Sequence, residues 1–249
     1  PPGDFIRLLR EALGWTAQTG DDIEWIAHFT ARDLNVMGIQ SRLVGYWMNR
    51  IRNAIFITGD PPKMAPTYPP STGVFDLSSV DMIRLAHNHL NAGVDFGGQP
   101  LGKQPEPRTH FTIGTGFEPE ALDGVRELEK LQRKLAAGAD YVMTQPAFRW
   151  QPLEILASVR DSVPVLIGVL ILRSLEHALR MRDVPGVVVP DDVVTRLGAH
   201  ADLQDQTRVG QEIAAEQIRH IRAAGWSGLY LMSPGSHAPI MDVLRAGLQ

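Results

Sequence analysis

The stretch Asp123–Phe148, DGVRELEKLQRKLAAGADYVMTQPAF, decides the fold. Its first part places Val125, Leu128, Leu131 and Leu135 at helical spacing, which predicts an amphipathic helix over Asp123–Ala137. Gly138 follows where a helix C-cap belongs. The chain then enters Tyr141–Phe148 (YVMTQPAF), a short, almost continuously apolar run. Such a run reads as a strand buried on both faces rather than on one. A helix that leads through a glycine into a doubly buried strand is the repeating unit of a parallel α/β sheet.

The same alternation extends in both directions. Strands are predicted at Ile23–Thr30, Ala54–Asp60, His110–Phe117, Val163–Leu172 and Gly228–Ser233. Helices are predicted at Asn35–Ile51, Ser78–Ala92, Pro152–Ser162, Ser174–Arg182, Asp205–Ala224 and Ala238–Gly247, with another over Asp4–Leu13. Gly225 is a second expected C-cap. Asp60–Pro70 and Asn91–Pro107, rich in Pro and Gly, read as loops. The pattern predicts a (β/α)₈ barrel, and 249 residues suit one such domain spanning the whole chain. Six strands are read where the class needs eight. The first one or two strands are therefore expected to be missing from this sequence, before Pro1 and near Leu13–Trp15.

Composition narrows the function. A net charge of −4 argues against a nucleic-acid partner, which selects a basic face. The absence of cysteine excludes disulfides, thiolate metal sites and a cysteine nucleophile. It fits a reducing compartment, so a cytoplasmic location is expected. The longest apolar run, Val163–Leu172, is about half a membrane span, and no membrane partner or secretory leader is expected. No G-x-G-x-x-G or Walker loop occurs. The histidines show no metal-ligand spacing, and no metal is expected.

Functional residues of a parallel barrel sit where strands end. This selects His28, Asp60, Glu118 and Gln145. In Ile55–Pro62 (IFITGDPP), Gly59 permits close backbone approach and Asp60 offers a carboxylate; the competing reading is a plain Asp-Pro turn. His28 is either a rim residue or a catalyst. Gln145 can donate and accept, as a pterin edge requires, or it is a buried amide satisfied by backbone. Glu127, Lys130, Arg133 and Lys134 form either a solvated charged face or a cationic stripe for pyrophosphate.

Taken together, AHFTARDLNVMGIQSRLVG, IFITGDPPK, VFDLSSVDMI, the stretch FEPEALDGVRELEKLQRKLAAGADYVMTQPAF, PVLIGVLIL and GLYLMSP resemble the methylenetetrahydrofolate reductases. The HxTxRDxN and TGDPPK forms are most similar to the reductase half of bifunctional homocysteine methyltransferase–reductase proteins. The resemblance implies an eight-stranded barrel with FAD across its C-terminal rim. It implies flavin contacts from His28, Thr58, Gly59, Asp60, Phe75 and Glu118, and ribose or pyrophosphate contacts from Glu127, Lys130, Arg133 and Lys134. It assigns the folate to Asp60 and Gln145, with Asp60 also the catalytic carboxylate.

The implied enzyme interconverts 5,10-methylenetetrahydrofolate and 5-methyltetrahydrofolate by hydride transfer through FAD, with NAD(P)H as donor. A homo-oligomer is compatible with it. The alternative is a flavin- or folate-binding barrel without turnover, a subunit of a larger complex. Against the family pattern, Leu175 and Met232 stand at aromatic positions and Glu118 at a histidine. The family's general acid is a glutamate three residues before a Pro-Pro pair. This sequence opens on Pro1-Pro2, so that acid is expected just upstream, on the first strand.

Overall fold

β-Branched and aromatic residues form the strands, and glycines and N-cap side chains punctuate the helices between them. The computed structural model describes Ile6, Leu8, Leu9 and residues 24–64, 71–103, 108–233 and 238–249. Among these are six strands: β1 (Ile26–Thr30), β2 (Asn53–Ile57), β3 (Thr112–Phe117), β4 (Tyr141–Pro146), β5 (Val165–Leu170) and β6 (Gly228–Met232). Their order in one sheet follows the chain, β1 to β6. The registers of β1–β2, β2–β3, β4–β5 and β5–β6 are all parallel. All six strands sit where the apolar runs place them.

The α-helices that follow β1 among the described residues are α1 (Val36–Met48), α2 (Ser79–Asn88), α3 (Gly124–Ala136), α4 (Ala157–Arg160), α5 (Leu175–Met181), α6 (Asp191–Gly198), α7 (Leu203–Ala223) and α8 (Ala238–Leu248). Asn35 caps α1 by accepting from Gly38 N–H, and Ser78 caps α2 in a reciprocal box with Asp81. Gly138 and Gly225 both take positive φ, 109° and 68°, as expected of C-caps. The predicted helix over Pro152–Ser162 begins as a 3₁₀ turn, Gln151–Leu156, and becomes α only in α4. Helix α6 was not expected from the sequence. Its Val193–Val194 pair weakens helix propensity, yet Val193 and Leu197 are buried one turn apart.

Of the predicted helix Asp4–Leu13, Ile6, Leu8 and Leu9 are helical, and the remainder lies outside the described residues. Gly14–Asp22 and the region expected to lack a strand also lie outside them. No helix among the described residues is long and apolar enough to cross a membrane.

The chain divides into two compact units. One comprises Pro1–Thr115 with Gln132–Asp140, the other Gly116–Leu131 with Tyr141–Gln249. The first is built on Phe29, Ile39, Leu43, Phe56, Met82 and Ile83, all buried. Phe29 meets Tyr46 edge-on, with ring centroids 5.7 Å apart. The second gathers Phe148, Leu170, Leu172, Val193, Leu197 and Ile213. There α7 approaches the end of β5 so closely that a Cβ on Gly210 would lie 1.8 Å from the Leu172 carbonyl oxygen. Only glycine fits that position.

Candidate functional site

The expected residues fall in both units. In the first, parallel pairing sets Thr30 opposite Ile57, so the exits of β1 and β2 are adjacent. Thr58-Gly59-Asp60 leaves β2 there. Gly59 has φ 88°, and a Cβ on it would lie 3.0 Å from Thr30 Cβ and 3.2 Å from Arg32 Cβ. The turn is therefore tight and left-handed, and glycine is needed for both reasons. Arg32 reaches across from the β1 exit: Nη1 donates to the Asp60 carbonyl at 3.2 Å, while Nε donates to Asp33 at 2.8 Å. These bonds fix the Asp60 backbone and leave its carboxylate exposed, with no hydrogen-bond partner among the described residues.

Thr58 is exposed, and its hydroxyl lies 3.5 Å from that of Ser79 in the first turn of α2. Phe75 is 40% exposed, and Leu34, beyond the β1 exit, bridges to it. Asp33, at φ 68°, donates its N–H to the Val74 carbonyl. His28, Thr58, Gly59, Asp60 and Phe75 thus all belong to the β1 and β2 exits and the loop bonded to them. His28 lies two residues inside the strand end, on the side opposite the buried Ala27 and Phe29. Its edge is exposed, yet the surrounding protein desolvates the ring and lowers its pKa below the ordinary histidine value.

In the second unit, Gln145 is the exposed residue of an otherwise buried β4. Its side chain makes no hydrogen bond among the described residues, so it is not a buried amide satisfied by backbone. Glu118 follows β3 and is half-buried. Its carboxylate lies against the left-handed Gly186, where a Cβ would approach Oε2 to 3.2 Å. Glu120, nearby, is committed to an ion pair with Arg149.

Helix α3 is amphipathic as expected, with Leu131 buried and Leu128 and Leu135 partly buried, but it departs from the expected faces at three positions. Val125, expected in the core stripe, is 67% exposed, whereas Glu127 and Lys134 are 7% and 4% exposed. The buried line is Glu127, Leu131, Lys134, the i, i+4, i+7 face. Lys130 donates to Glu127 at 3.2 Å, and Arg133 is exposed. A merely solvated face would not hold a carboxylate and an ammonium group out of water.

Leu175 and Met232 both pack against the second unit's core. A groove of 270 Å³ in that unit lies along Trp150, Arg160, His220 and Trp226, and none of the expected site residues lines it. No local sequence pattern marks this groove, because its walls come from segments far apart in the chain.

A model of the methylenetetrahydrofolate reductase family matches residues 11–245. The chain belongs to that family. Methylenetetrahydrofolate reductase 2 of Saccharomyces cerevisiae is 23% identical over 261 residues, covering 99% of this chain and 40% of the yeast protein. Methylenetetrahydrofolate reductase (NADH) 1 of Zea mays is 25% identical, over 84% of this chain and 35% of the maize protein. The 5,10-methylenetetrahydrofolate reductase of Salmonella typhimurium is 24% identical, over 90% of this chain and 69% of the bacterial one. The chain thus spans about two fifths of the yeast methylenetetrahydrofolate reductase it matches. Among solved structures, an uncharacterized protein from Clostridium thermocellum that binds two copies of 5-methyl-5,6,7,8-tetrahydrofolic acid has a similar fold. Its TM-score is 0.57 at 13% identity, over 95% of this chain and 76% of that one.

Proposed function

We propose that this protein is an FAD-dependent oxidoreductase that interconverts 5,10-methylenetetrahydrofolate and 5-methyltetrahydrofolate, with NAD(P)H as electron donor. The family match covers nearly the whole chain. The single structural observation that supports it best is the exit of β4, where Gln145 is held by its backbone with its side chain exposed and unbonded among the described residues; within the other unit, Asp60 at the β2 exit is likewise gripped by its backbone carbonyl with its carboxylate exposed. Polar groups presented in this way are suited to a ligand. The reading includes the eight-stranded barrel of the family.

The chain's own residues fit a flavin dinucleotide. A buried Lys134 and its helix neighbour Lys130 suit a pyrophosphate, and the left-handed Gly59 allows close backbone approach. In this reading His28, Thr58, Phe75 and Glu118 flank the flavin, while Glu127 and Arg133 complete the ribose and phosphate contacts. The bound flavin supplies the two-electron carrier between nicotinamide and folate. Asp60 favours a cationic form of the folate substrate, which accepts hydride more readily. The Gln145 amide donates to and accepts from the pterin edge.

The test is direct. The purified protein should be yellow, or become so on addition of FAD, and should oxidise more than one equivalent of NADH or NADPH per flavin only when methylenetetrahydrofolate is supplied. Gln145→Glu should weaken binding of 5-methyltetrahydrofolate while retaining the flavin. A protein that neither binds flavin nor turns over either nucleotide would overturn the proposal.

A further inference from the structure

Strand β4 carries a defect in its pairing with β5. Met143 pairs with Leu166, but the next pair is Pro146 with Gly168, so β4 spends three steps where β5 spends two. The extra residue lies within Thr144–Gln145, a β-bulge at the strand end. A bulge breaks the ladder, and buried backbone groups there need other partners. Thr144, 3% exposed, supplies them: its hydroxyl accepts from Gly168 N–H at 2.8 Å and donates to the Gln145 carbonyl at 2.8 Å.

Gly168 completes the arrangement by lacking a side chain. A Cβ there would lie 2.6 Å from the Thr144 carbonyl oxygen and 2.7 Å from that of Gln145. Beyond the bulge, Ala147 N–H donates to the Gly168 carbonyl at 3.0 Å, and Gln217 of α7 donates to the Ala147 carbonyl at 2.9 Å. The backbone on both sides of Gln145 is therefore tied down, while the Gln145 side chain alone is exposed.

We propose that Thr144 and Gly168 are positioning residues that hold the β4 bulge and so set the direction of the Gln145 amide toward the folate. This rests on the folate assignment of Gln145 above. A hydroxyl both donates and accepts, which the bulge requires, and a methyl group of the same size does neither. The fixed backbone spares Gln145 the ordering that a mobile strand end would need on binding.

The experiment is calorimetric titration with 5-methyltetrahydrofolate, with flavin content read from visible absorbance in each variant. Gln145→Ala and Thr144→Val should each raise Kd about tenfold, the scale of one lost hydrogen bond, at wild-type flavin content. Thr144→Ser retains the hydroxyl and should restore near wild-type affinity. In the double variant Thr144→Val/Gln145→Ala, the threonine change should add little, because it acts through Gln145. If Thr144→Val does not accumulate as folded protein, Thr144→Ala takes its place with the same expectations. A weakened Gln145→Ala beside an unaffected Thr144→Val would overturn the positioning role alone, and so would fully additive losses in the double variant. An unaffected Gln145→Ala would overturn the folate assignment and the positioning role with it.

Discussion

The guanidinium of Arg32 donates to the main-chain carbonyl of Asp60 across 3.2 Å, tying the β1 exit to the β2 exit. The bond grips Asp60 by its backbone, so the carboxylate stays available. Asp60→Asn preserves this geometry and removes only the charge. It should slow hydride transfer to methylenetetrahydrofolate by about 10²-fold, the scale of a lost electrostatic contact in a reacting site, and slow reduction by NAD(P)H less. Stopped-flow measurement of each half-reaction checks this, and equal slowing of both would remove the assigned role.

Lys134 is 4% exposed on α3. Lys134→Met keeps the apolar stem and deletes the ammonium group. FAD affinity should fall by roughly 1–3 kcal/mol if that group makes a charge-assisted bond to phosphate. Arg126→Ala, on an exposed position of the same helix, should change it by less than about 0.5 kcal/mol. Flavin fluorescence during reconstitution of the apoprotein measures both, and equal effects would remove Lys134 from the flavin site.

Gly59 stands at φ 88° against Thr30. Gly59→Ala forces a Cβ into a left-handed turn with little room, and should cost about 1–2 kcal/mol of stability. Urea denaturation at constant m-value reads the loss. An unchanged midpoint would mean the turn rearranges freely.

His177 is 8% exposed, and its Nδ1 lies 3.3 Å from the Arg173 N–H that it accepts. Burial first, then the charges of Arg173 and Arg180, lower its pKa below the ordinary 6.5. The unfolded chain therefore takes up a proton before the folded chain does. The stability contribution is intact above the unfolded value and is lost as pH falls through the folded one. His177→Asn keeps an acceptor near Nδ1 and cannot titrate. Its unfolding midpoint should fall less than wild type's between about pH 7 and about pH 5. Parallel pH dependence in the two proteins would contradict this.

Local chemistry made much of this protein legible in its sequence. The strands of a parallel sheet are apolar on both faces, so all six runs announced themselves without tertiary information. Gly138 and Gly225 marked helix ends because left-handed backbone there is a property of single residues. The strand-end rule picked out Asp60 and Gln145 for the same reason: a strand's direction is fixed by its own residues. The family, too, was readable from ordered motifs.

What the sequence left open depended on neighbours distant in the chain. The rotation of α3 is decided by what packs on it, so Val125 is exposed and Glu127 and Lys134 are buried, against the preference of the isolated side chains. Helix α6 exists because Val193 and Leu197 find a core, which outweighs the weak helix propensity of two valines. The bulge in β4 is a mismatch of register with β5, and register belongs to a pair of strands. Sequence alone thus determined which residues stand at the strand ends. Only the tertiary structure decided how Arg32 grips Asp60 and how Thr144 and Gly168 hold Gln145, because those bonds join segments that meet only when the sheet has formed.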